Sequence, residues 1–331
     1  MKVFVTGATG FLGHWLVRRL LDEGLQVRAL ARSRRKVNEE FPGLPIEIIE
    51  GDLDSNKALL SGCEGCSGVF HLAGLIAYKR SDRPAMEKAN VIGTQNILEA
   101  AIQANVPRFL HLSSVVAVGA SFDGRPLNEN SEYNVGHLNL GYFETKHKAE
   151  QIVRSAAQAR QIEAVMVNPA TIYGPGDAKK GSRGAQLKVA RGQLPFYPPG
   201  GVNVVHVDDV VQLIMDVYKR APNGERYIAA SENLTLQDLF KMIAKIAQVE
   251  PPKLGLPRSA IFALGAIGDV LEKFGLKGPV NSETAWTSTL YHWFEHEKAT
   301  KAFGFKPRPA IEAIEASIRW SRNNGLLTKP D

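Results

Sequence analysis

Cysteine is almost absent, with two in 331 residues. One pair cannot supply a disulfide framework for a chain of this size, and a reducing, cytoplasmic setting is expected. Long apolar runs are missing too. The longest stretch free of charge and strong polarity, 260–268, is far short of the ~20 residues that span a bilayer. A signal peptide is not expected, because a strand and a glycine loop begin at Lys2 and cleavage would destroy them. Internal repeats, low-complexity tracts and nucleic-acid-binding signatures are lacking as well. Neither sign of charge dominates. Forty Lys and Arg against 34 Asp and Glu leave a net +6, with a pI near 9.2. That balance favours anionic ligands without implying nucleic acid.

What is present is the composition of a globular protein, 44% hydrophobic and 22% charged, which excludes a disordered or collagen-like chain. The length suits two domains, or one large one, at ~100–200 residues each. Short β-branched runs at 2–6, 26–31, 47–50, 68–71, 108–113 and 164–168 alternate with amphipathic stretches at 11–23, 86–103 and 142–160. Strand–helix alternation with nearly continuous apolar strands predicts a doubly wound parallel sheet, an α/β fold of the Rossmann type. The character changes after Asn168. Residues 173–201 carry seven glycines and four prolines, an irregular excursion. Further strands are expected at 204–207 and 225–228, with a helix at 208–219 between them. Beyond Leu236 the pattern is helical, ending in an amphipathic stretch at 309–324. We expect a dinucleotide-type domain from 1–172 with returning segments at about 202–230, and a smaller, discontinuous C-terminal substrate lobe from 173–201 and 231–331.

The first strand runs into Gly7-Ala8-Thr9-Gly10-Phe11-Leu12-Gly13 and then a helix. Gly7 permits the tight turn, Gly10 lets backbone amides approach a pyrophosphate, and Gly13 lets the helix pack on the sheet. The helix N-terminus adds N–H donors and a partial positive charge for the phosphates. Gly7, Thr9, Gly10, Phe11, Leu12 and Gly13 are therefore candidate cofactor-binding positions. The spacing is G-x-x-G-x-x-G rather than G-x-G-x-x-G. At the end of the second strand an NAD enzyme offers a carboxylate to the adenosine ribose. This chain offers Arg32-Ser33-Arg34-Arg35-Lys36 instead. Guanidinium groups bind a 2′-phosphate that a carboxylate would repel. NADP(H) is the expected cofactor, with Arg32 the first choice for the phosphate and Arg35 the second.

Tyr142 and Lys146 stand four apart, on one face of the predicted helix. Bringing a phenol from its ordinary pKa to neutrality needs ~3 units, or ~4 kcal/mol. One positive charge at ~4 Å in an effective dielectric of ~20 supplies about that much. The spacing thus predicts that Lys146 activates Tyr142. The fifth strand ends in Ser113-Ser114, and strand C-termini of open parallel sheets are where ligands bind. A hydroxyl there can hold a substrate oxygen beside the tyrosine.

The segments 6–13, Gly51-Asp52-Leu53, His71-Leu72-Ala73-Gly74, Ser113-Ser114 and Tyr142-x-x-x-Lys146 resemble the extended short-chain dehydrogenase/reductase superfamily. Asn168-Pro169-Ala170-Thr171-Ile172-Tyr173-Gly174-Pro175-Gly176 and His206-Val207-Asp208-Asp209-Val210 extend the likeness into the second lobe. It is most similar to the dihydroflavonol-4-reductase-like branch, which includes proteins labelled nucleoside-sugar epimerases. The resemblance implies that Ser114, rather than Ser113, is the catalytic hydroxyl beside Tyr142 and Lys146. It also implies that Asp52 and Leu53 border the adenine, Ala73 lines the cofactor groove and Pro169 flanks the nicotinamide. Lys146 would reach the ribose hydroxyls, Asn90 would support the site, and a helix pair of the sheet domain would form homodimers. Two positions depart from the family pattern: Asn168 and Asn203 stand where arginine is common.

Several signals are set aside. Cys63-x-x-Cys66 lies in a turn before the fourth strand without a second pair, so loop packing is the better reading than redox or metal chemistry. His292 and His296 fall four apart on a predicted helix without a third ligand, and no metal is expected. The amphipathic stretch 259–271 can touch a membrane or a partner, and is read first as a wall of the substrate pocket. The expectation is an NADPH-dependent oxidoreductase that reduces a small-molecule ketone or aldehyde. The alternative is a nucleoside-diphosphate-sugar epimerase or dehydratase, for which Lys179, Lys180, Arg183, Lys188 and Arg191 would have to supply the phosphate charge that Asn203 lacks.

Overall fold

In the computed structural model, residues 1–179, 183–276, 278 and 280–327 are described. Thirteen strands and thirteen α-helices are assigned among them. The first half runs β1 (Lys2–Thr6), α1 (Phe11–Asp22), β2 (Gln26–Ala31), α2 (Arg34–Glu40), β3 (Ile46–Glu50), α3 (Asn56–Cys63) and β4 (Gly68–His71). It continues with α4 (Arg83–Met86), α5 (Gly93–Gln103), β5 (Arg108–Leu112), α6 (Gly141–Gln158) and β6 (Glu163–Pro169). The second half runs β7 (Thr171–Tyr173), α7 (Gly184–Ala190), β8 (Phe196–Tyr197), β9 (Gly201–His206), α8 (Val207–Arg220), β10 (Arg226–Ala229) and β11 (Glu232–Thr235). It ends with α9 (Leu236–Ala247), β12 (Leu254–Gly255), α10 (Arg258–Lys273), α11 (Ser282–Thr289), β13 (Tyr291–His292), α12 (Glu297–Phe303) and α13 (Ala310–Asn323).

Seven strands in the order β10-β6-β5-β4-β1-β2-β3 form one sheet, and every pairing in it is parallel. This is the Rossmann-type fold expected. Alternation along each strand explains the two covered faces. Val3, Val5, Phe70, Leu110, Val165 and Val167 pack with Leu16, Leu20 and Val210 of α1 and α8. Phe4, Val69, Phe109 and Met166 point the other way, onto Leu59, Ile97 and Val153 of α3, α5 and α6. The reversal of strand order between β1 and β4 opens a crevice at their C-terminal ends, where such sheets bind ligands.

Residues 202–230 divide between two layers. Strand β9 joins β11, β13 and β7 in a second, four-stranded sheet, whereas α8 covers the first sheet and β10 forms its edge. Helix α8 shows why this segment is helical. His206 caps it by accepting the Asp208 amide, Asp208 and Asp209 occupy its first turn, and Lys219 and Arg220 its last. Each charge complements the helix dipole. A third core, built on Tyr173, Val204, Phe240, Ile243, Ile314 and Ile318, ties β7 and β9 to α9 and α13.

The helix expected at 86–103 begins earlier, at Arg83, and contains a π turn over Glu87–Ile92. Such turns mark places where a side chain is re-aimed, and here it is Asn90. One further expectation fails. His292 and His296 share no helix, because His292 lies on β13 and His296 precedes α12. Hydrogen bonding of β13 to β9 outweighs the local periodicity of that segment.

Candidate active site

Strand β1 delivers the chain to the glycine loop. Gly7 sits at φ +75°, and a Cβ there would lie 2.7 Å from the Ala73 nitrogen. At Gly13 it would lie 2.1 Å from the Gly7 carbonyl oxygen. Both positions demand glycine so that β1, β4 and α1 meet closely. Gly10 is the N-cap residue of α1 and contributes no capping side chain. The start of this helix is therefore left for an external acceptor, and a dinucleotide pyrophosphate fits it. Thr9, Phe11 and Leu12 complete the loop. Ala73 is held by its amide to the Thr6 hydroxyl, 3.3 Å.

Around the adenosine end, Arg32 stands exposed at the tip of β2, near enough to Asp52 to help lower its carboxyl pKa. Hydrogen bonds from the Ser55 hydroxyl and the Asp54 amide do most of that lowering. Arg35 points into solvent along α2 towards Glu39, 3.6 Å away. Arg34 is turned onto β3 through the Ile48 carbonyl, 3.3 Å. Of the basic cluster, Arg32 is the one that acts on Asp52. Leu53 packs on Gly93, where a Cβ would meet it at 2.6 Å.

At the nicotinamide end, Tyr142 and Lys146 project from the first turns of α6 and are both buried. The two serines part company. Ser113 is buried and donates to Glu150, whereas Ser114 hydrogen-bonds the Tyr142 phenol. The structure thus brings Ser114 and Tyr142 together and turns Ser113 away. Pro169 ends β6 next to the Ser114 carbonyl's partner, Asn168. Asn90 accepts the Leu75 amide at 2.7 Å and donates to the Leu75 carbonyl at 2.9 Å and the Thr145 hydroxyl at 3.1 Å. It clamps the loop after β4, and with it Tyr78, against α6. The rings of Tyr78 and Tyr142 meet edge-on with centroids 6.2 Å apart.

The expected activation of Tyr142 by Lys146 is not what the geometry shows. Burial pushes the Tyr142 phenol above its ordinary range, the adjacent Tyr78 adds to this, and only the hydrogen bond with Ser114 opposes it. The Lys146 ammonium is directed at the Leu112 carbonyl instead, 2.7 Å away. Burial lowers Lys146 to a pKa of about 8, and the Glu150 carboxylate holds it from falling further. Desolvation of the phenol therefore decides its protonation. Tyr142 is a proton-bearing phenol at neutral pH.

Beneath these groups lies a polar network that sequence reasoning missed. Glu150 is fully buried and is held by Arg226 of β10 at 2.8 Å and by the Asn168 amide at 2.5 Å. The guanidinium absent at Asn168 thus reaches the region from the neighbouring strand. Glu150 was detectable as the residue four beyond Lys146 on one helix face. Arg226 carried no local signal. Two buried imidazoles, His71 and His111, stack 5.4 Å apart on β4 and β5. Burial drives His71 down to about 3, with Lys146 adding to the effect. Its ring bridges the hydroxyls of Thr6 at 2.7 Å and Thr94 at 2.9 Å.

The cysteine pair behaves as a packing feature. Cys63 and Cys66 are buried, and burial pushes the Cys63 thiol up to about 12. His292 is held by the Thr287 carbonyl, 2.9 Å away, and packs on Phe143.

Residues 3–230 match the model of the NAD dependent epimerase/dehydratase family. The chain belongs to this family. Within it, the chain falls in the extended short-chain dehydrogenase/reductase group, close to proteins named for dihydroflavonol reduction. A Synechocystis protein named "Putative dihydroflavonol 4-reductase" is 34% identical over 98% of this chain and 95% of its own length. Sterol demethylase protein B of Methylococcus capsulatus is 29% identical over 99% of this chain and 100% of that protein. Among solved structures, gox2253 superposes with a TM-score of 0.86 at 34% identity, covering 99% of both chains. The dTDP-glucose 4,6-dehydratase DesIV of Streptomyces venezuelae, solved with NAD bound, shares the fold at a TM-score of 0.79 and 20% identity, covering 98% of both chains. Family membership establishes an enzyme fold that uses NAD or NADP. Among the described residues, no helix is long and apolar enough to cross a membrane.

Proposed function

We propose that this family member is an NADPH-dependent reductase that converts an apolar ketone or aldehyde to its alcohol. The observation that carries the reading is the pairing of the half-buried Ser114 hydroxyl with the buried Tyr142 phenol beside an apolar wall. Tyr142 belongs to a cluster with Met86, Leu140, Phe143 and Leu290, against which Tyr78 and Trp286 pack. A carbonyl oxygen beside this pair is held by the Ser114 hydroxyl and receives the Tyr142 proton as negative charge develops on it. The reduced nicotinamide, when bound, supplies the hydride to the carbonyl carbon. Lys146, one turn along α6, keeps a proton near neutral pH and donates to the Leu112 carbonyl, and the phenolate left behind takes its proton back from solvent. Gly7, Thr9, Gly10, Phe11, Leu12 and Gly13 would hold the pyrophosphate, and Arg32 the 2′-phosphate. Asp52, Leu53, Ala73 and Pro169 would line the groove, with Lys146 also on the ribose. Residues 173–201 and 231–331 would form the substrate lobe.

Reductive naming in the relatives supports this reading, and so does the state of the cations that a sugar nucleotide would need. Asn203 is fully buried, donating to Asn233 and accepting the Ser231 amide, both at 2.8 Å. It faces structure rather than ligand. Arg183 lies over the Tyr173 ring, 4.1 Å from its centroid, and pairs with Asp177 at 3.5 Å. Arg191 is bound to the Leu326 carbonyl, 2.6 Å away. Lys180 and the side chain of Lys179 lie outside the described residues. A buried diphosphate in this lobe would be short of free guanidinium partners.

The test is loss of NADPH absorbance across a panel of apolar ketones and aldehydes, repeated with Tyr142→Phe. Turnover by the wild type and its loss in the variant, with NADPH affinity retained, is the expected result. Full activity in Tyr142→Phe, or isomerisation of a nucleotide sugar without NADPH loss, would overturn the proposal.

A further inference from the structure

Helix α10 is apolar on two sides. Its inner side is fixed by glycines: a Cβ on Gly268 would lie 1.7 Å from the Val280 carbonyl oxygen, and one on Gly265 would lie 2.9 Å from the Ala285 Cβ. Phe262 packs on Trp286 with ring centroids 4.6 Å apart, which joins the helix to the wall beside Tyr142. The opposite side should then be polar. Instead Ala263, Ala266, Ile267, Val270 and Phe274 recur at i, i+3, i+4, i+7 and i+11, and all are exposed. Ile267 and Val270 are 53% accessible, Phe274 76% and the following Leu276 58%. Single exposed apolar residues are ordinary. A continuous stripe of them marks an interaction surface.

The charges around the stripe are sorted by sign. The acidic residues of α10 are turned into the protein, with Asp269 accepting the Ser282 amide at 3.0 Å and Glu272 accepting the Ser81 hydroxyl at 2.9 Å. The second contact docks the loop after β4 on α10, and that loop exposes Leu75, Ile76, Lys79 and Arg80. Lys273 is exposed at the helix end. Among the described residues none of Lys79, Arg80 and Lys273 lies within ion-pair distance of a carboxylate, while Arg80 and Lys273 are near enough to Asp269 to act on its carboxyl.

We propose that α10 and the loop after β4 dock on an anionic phospholipid surface, with Ile267, Val270 and Phe274 entering the interface and Lys79, Arg80 and Lys273 facing the headgroups. Exposed apolar side chains flanked by outward cations are the features that hold a helix in a bilayer interface. The face adjoins the wall of the Tyr142 pocket through Phe262 and Trp286, so it would bring the site next to a carbonyl compound dissolved in lipid. That last clause rests on the reductase reading; the docking does not.

The test is co-sedimentation of the full chain with vesicles of phosphatidylglycerol and phosphatidylcholine in equal parts, compared with phosphatidylcholine alone. Wild type should bind the mixed vesicles and be released by salt. Ile267→Ser combined with Phe274→Ser should weaken partitioning more than about tenfold, and Arg80→Gln with Lys273→Gln should weaken it while leaving those apolar residues in place. Unchanged circular dichroism and NADPH affinity would show that the variants fold. Failure of the wild type to bind, or equal binding by both double variants, would overturn the proposal. So would sedimentation velocity showing a dimer that Ile267→Ser with Phe274→Ser dissociates, because a second copy would then cover the stripe. None of these outcomes depends on turnover, so a failure here is separable from a failure of the reductase reading.

Discussion

Replacing Lys146 by methionine keeps most of the side-chain volume and removes a buried cation. The native environment lowers the lysine's pKa from 10.5 to about 8. In the folded protein the charged form is therefore disfavoured, and the unfolded chain binds more protons at any pH between these values. At pH 7 the lysine is charged in both states and the whole penalty is present, ~3 kcal/mol at 1.36 kcal/mol per unit. As pH rises through 8 the folded lysine deprotonates and the penalty shrinks, reaching ~1 kcal/mol by pH 10. Methionine also leaves the Leu112 carbonyl without its donor, a loss of about 1 kcal/mol. Glu150 keeps Arg226, Ser113 and Asn168, so its own carboxylate stays satisfied. The expected net effect is a gain of ~2 kcal/mol for Lys146→Met at pH 7, falling to near zero at pH 10. Urea denaturation of the cofactor-free protein at both values measures it, provided the dependence on denaturant is unchanged between variants. The same variant should lose turnover, an instance of stability traded against activity. A variant less stable than wild type at pH 7, or a difference that does not change with pH, would refute the reasoning.

Arg32→Ala should weaken NADPH binding by roughly ten- to a hundredfold, ~1.5–3 kcal/mol, and leave NADH binding unchanged, as read by fluorescence titration. Equal loss for both cofactors would show that Arg32 does not meet the 2′-phosphate. Gly13→Ala drives a methyl against the Gly7 carbonyl oxygen, 2.1 Å away. It should cost about 1–3 kcal/mol of stability and weaken NADPH at the same time, measured by thermal denaturation with and without cofactor. Calorimetry with UDP- and dTDP-sugars should show no micromolar binding, since Asn203 and the nearby guanidinium groups are already engaged.

The elements of the sheet and the candidate site residues belong to two different kinds of information. Strands β1, β2 and β4 fall at the residues expected from sequence, because near-continuous apolar runs between glycine and polar turns leave a fully buried strand as the natural reading. The glycine loop was legible for the same local reason. Gly7 and Gly13 are demanded by backbone approach, and the residue type itself reports that. The Tyr142–Lys146 spacing was legible because it is a helical period. What those side chains do to each other was not. Whether a lysine lowers a tyrosine's pKa depends on how deeply each is buried and where the ammonium points, and the structure points it at Leu112. The π turn that aims Asn90, the arrival of Arg226 from β10 to hold Glu150, and the pairing of β9 and β13 all join residues far apart in sequence. So do the glycines that turn the apolar stripe of α10 outward. Local periodicity carries backbone state, because neighbouring residues decide it. Burial, register and charge partners are set by segments that meet only after the chain has folded.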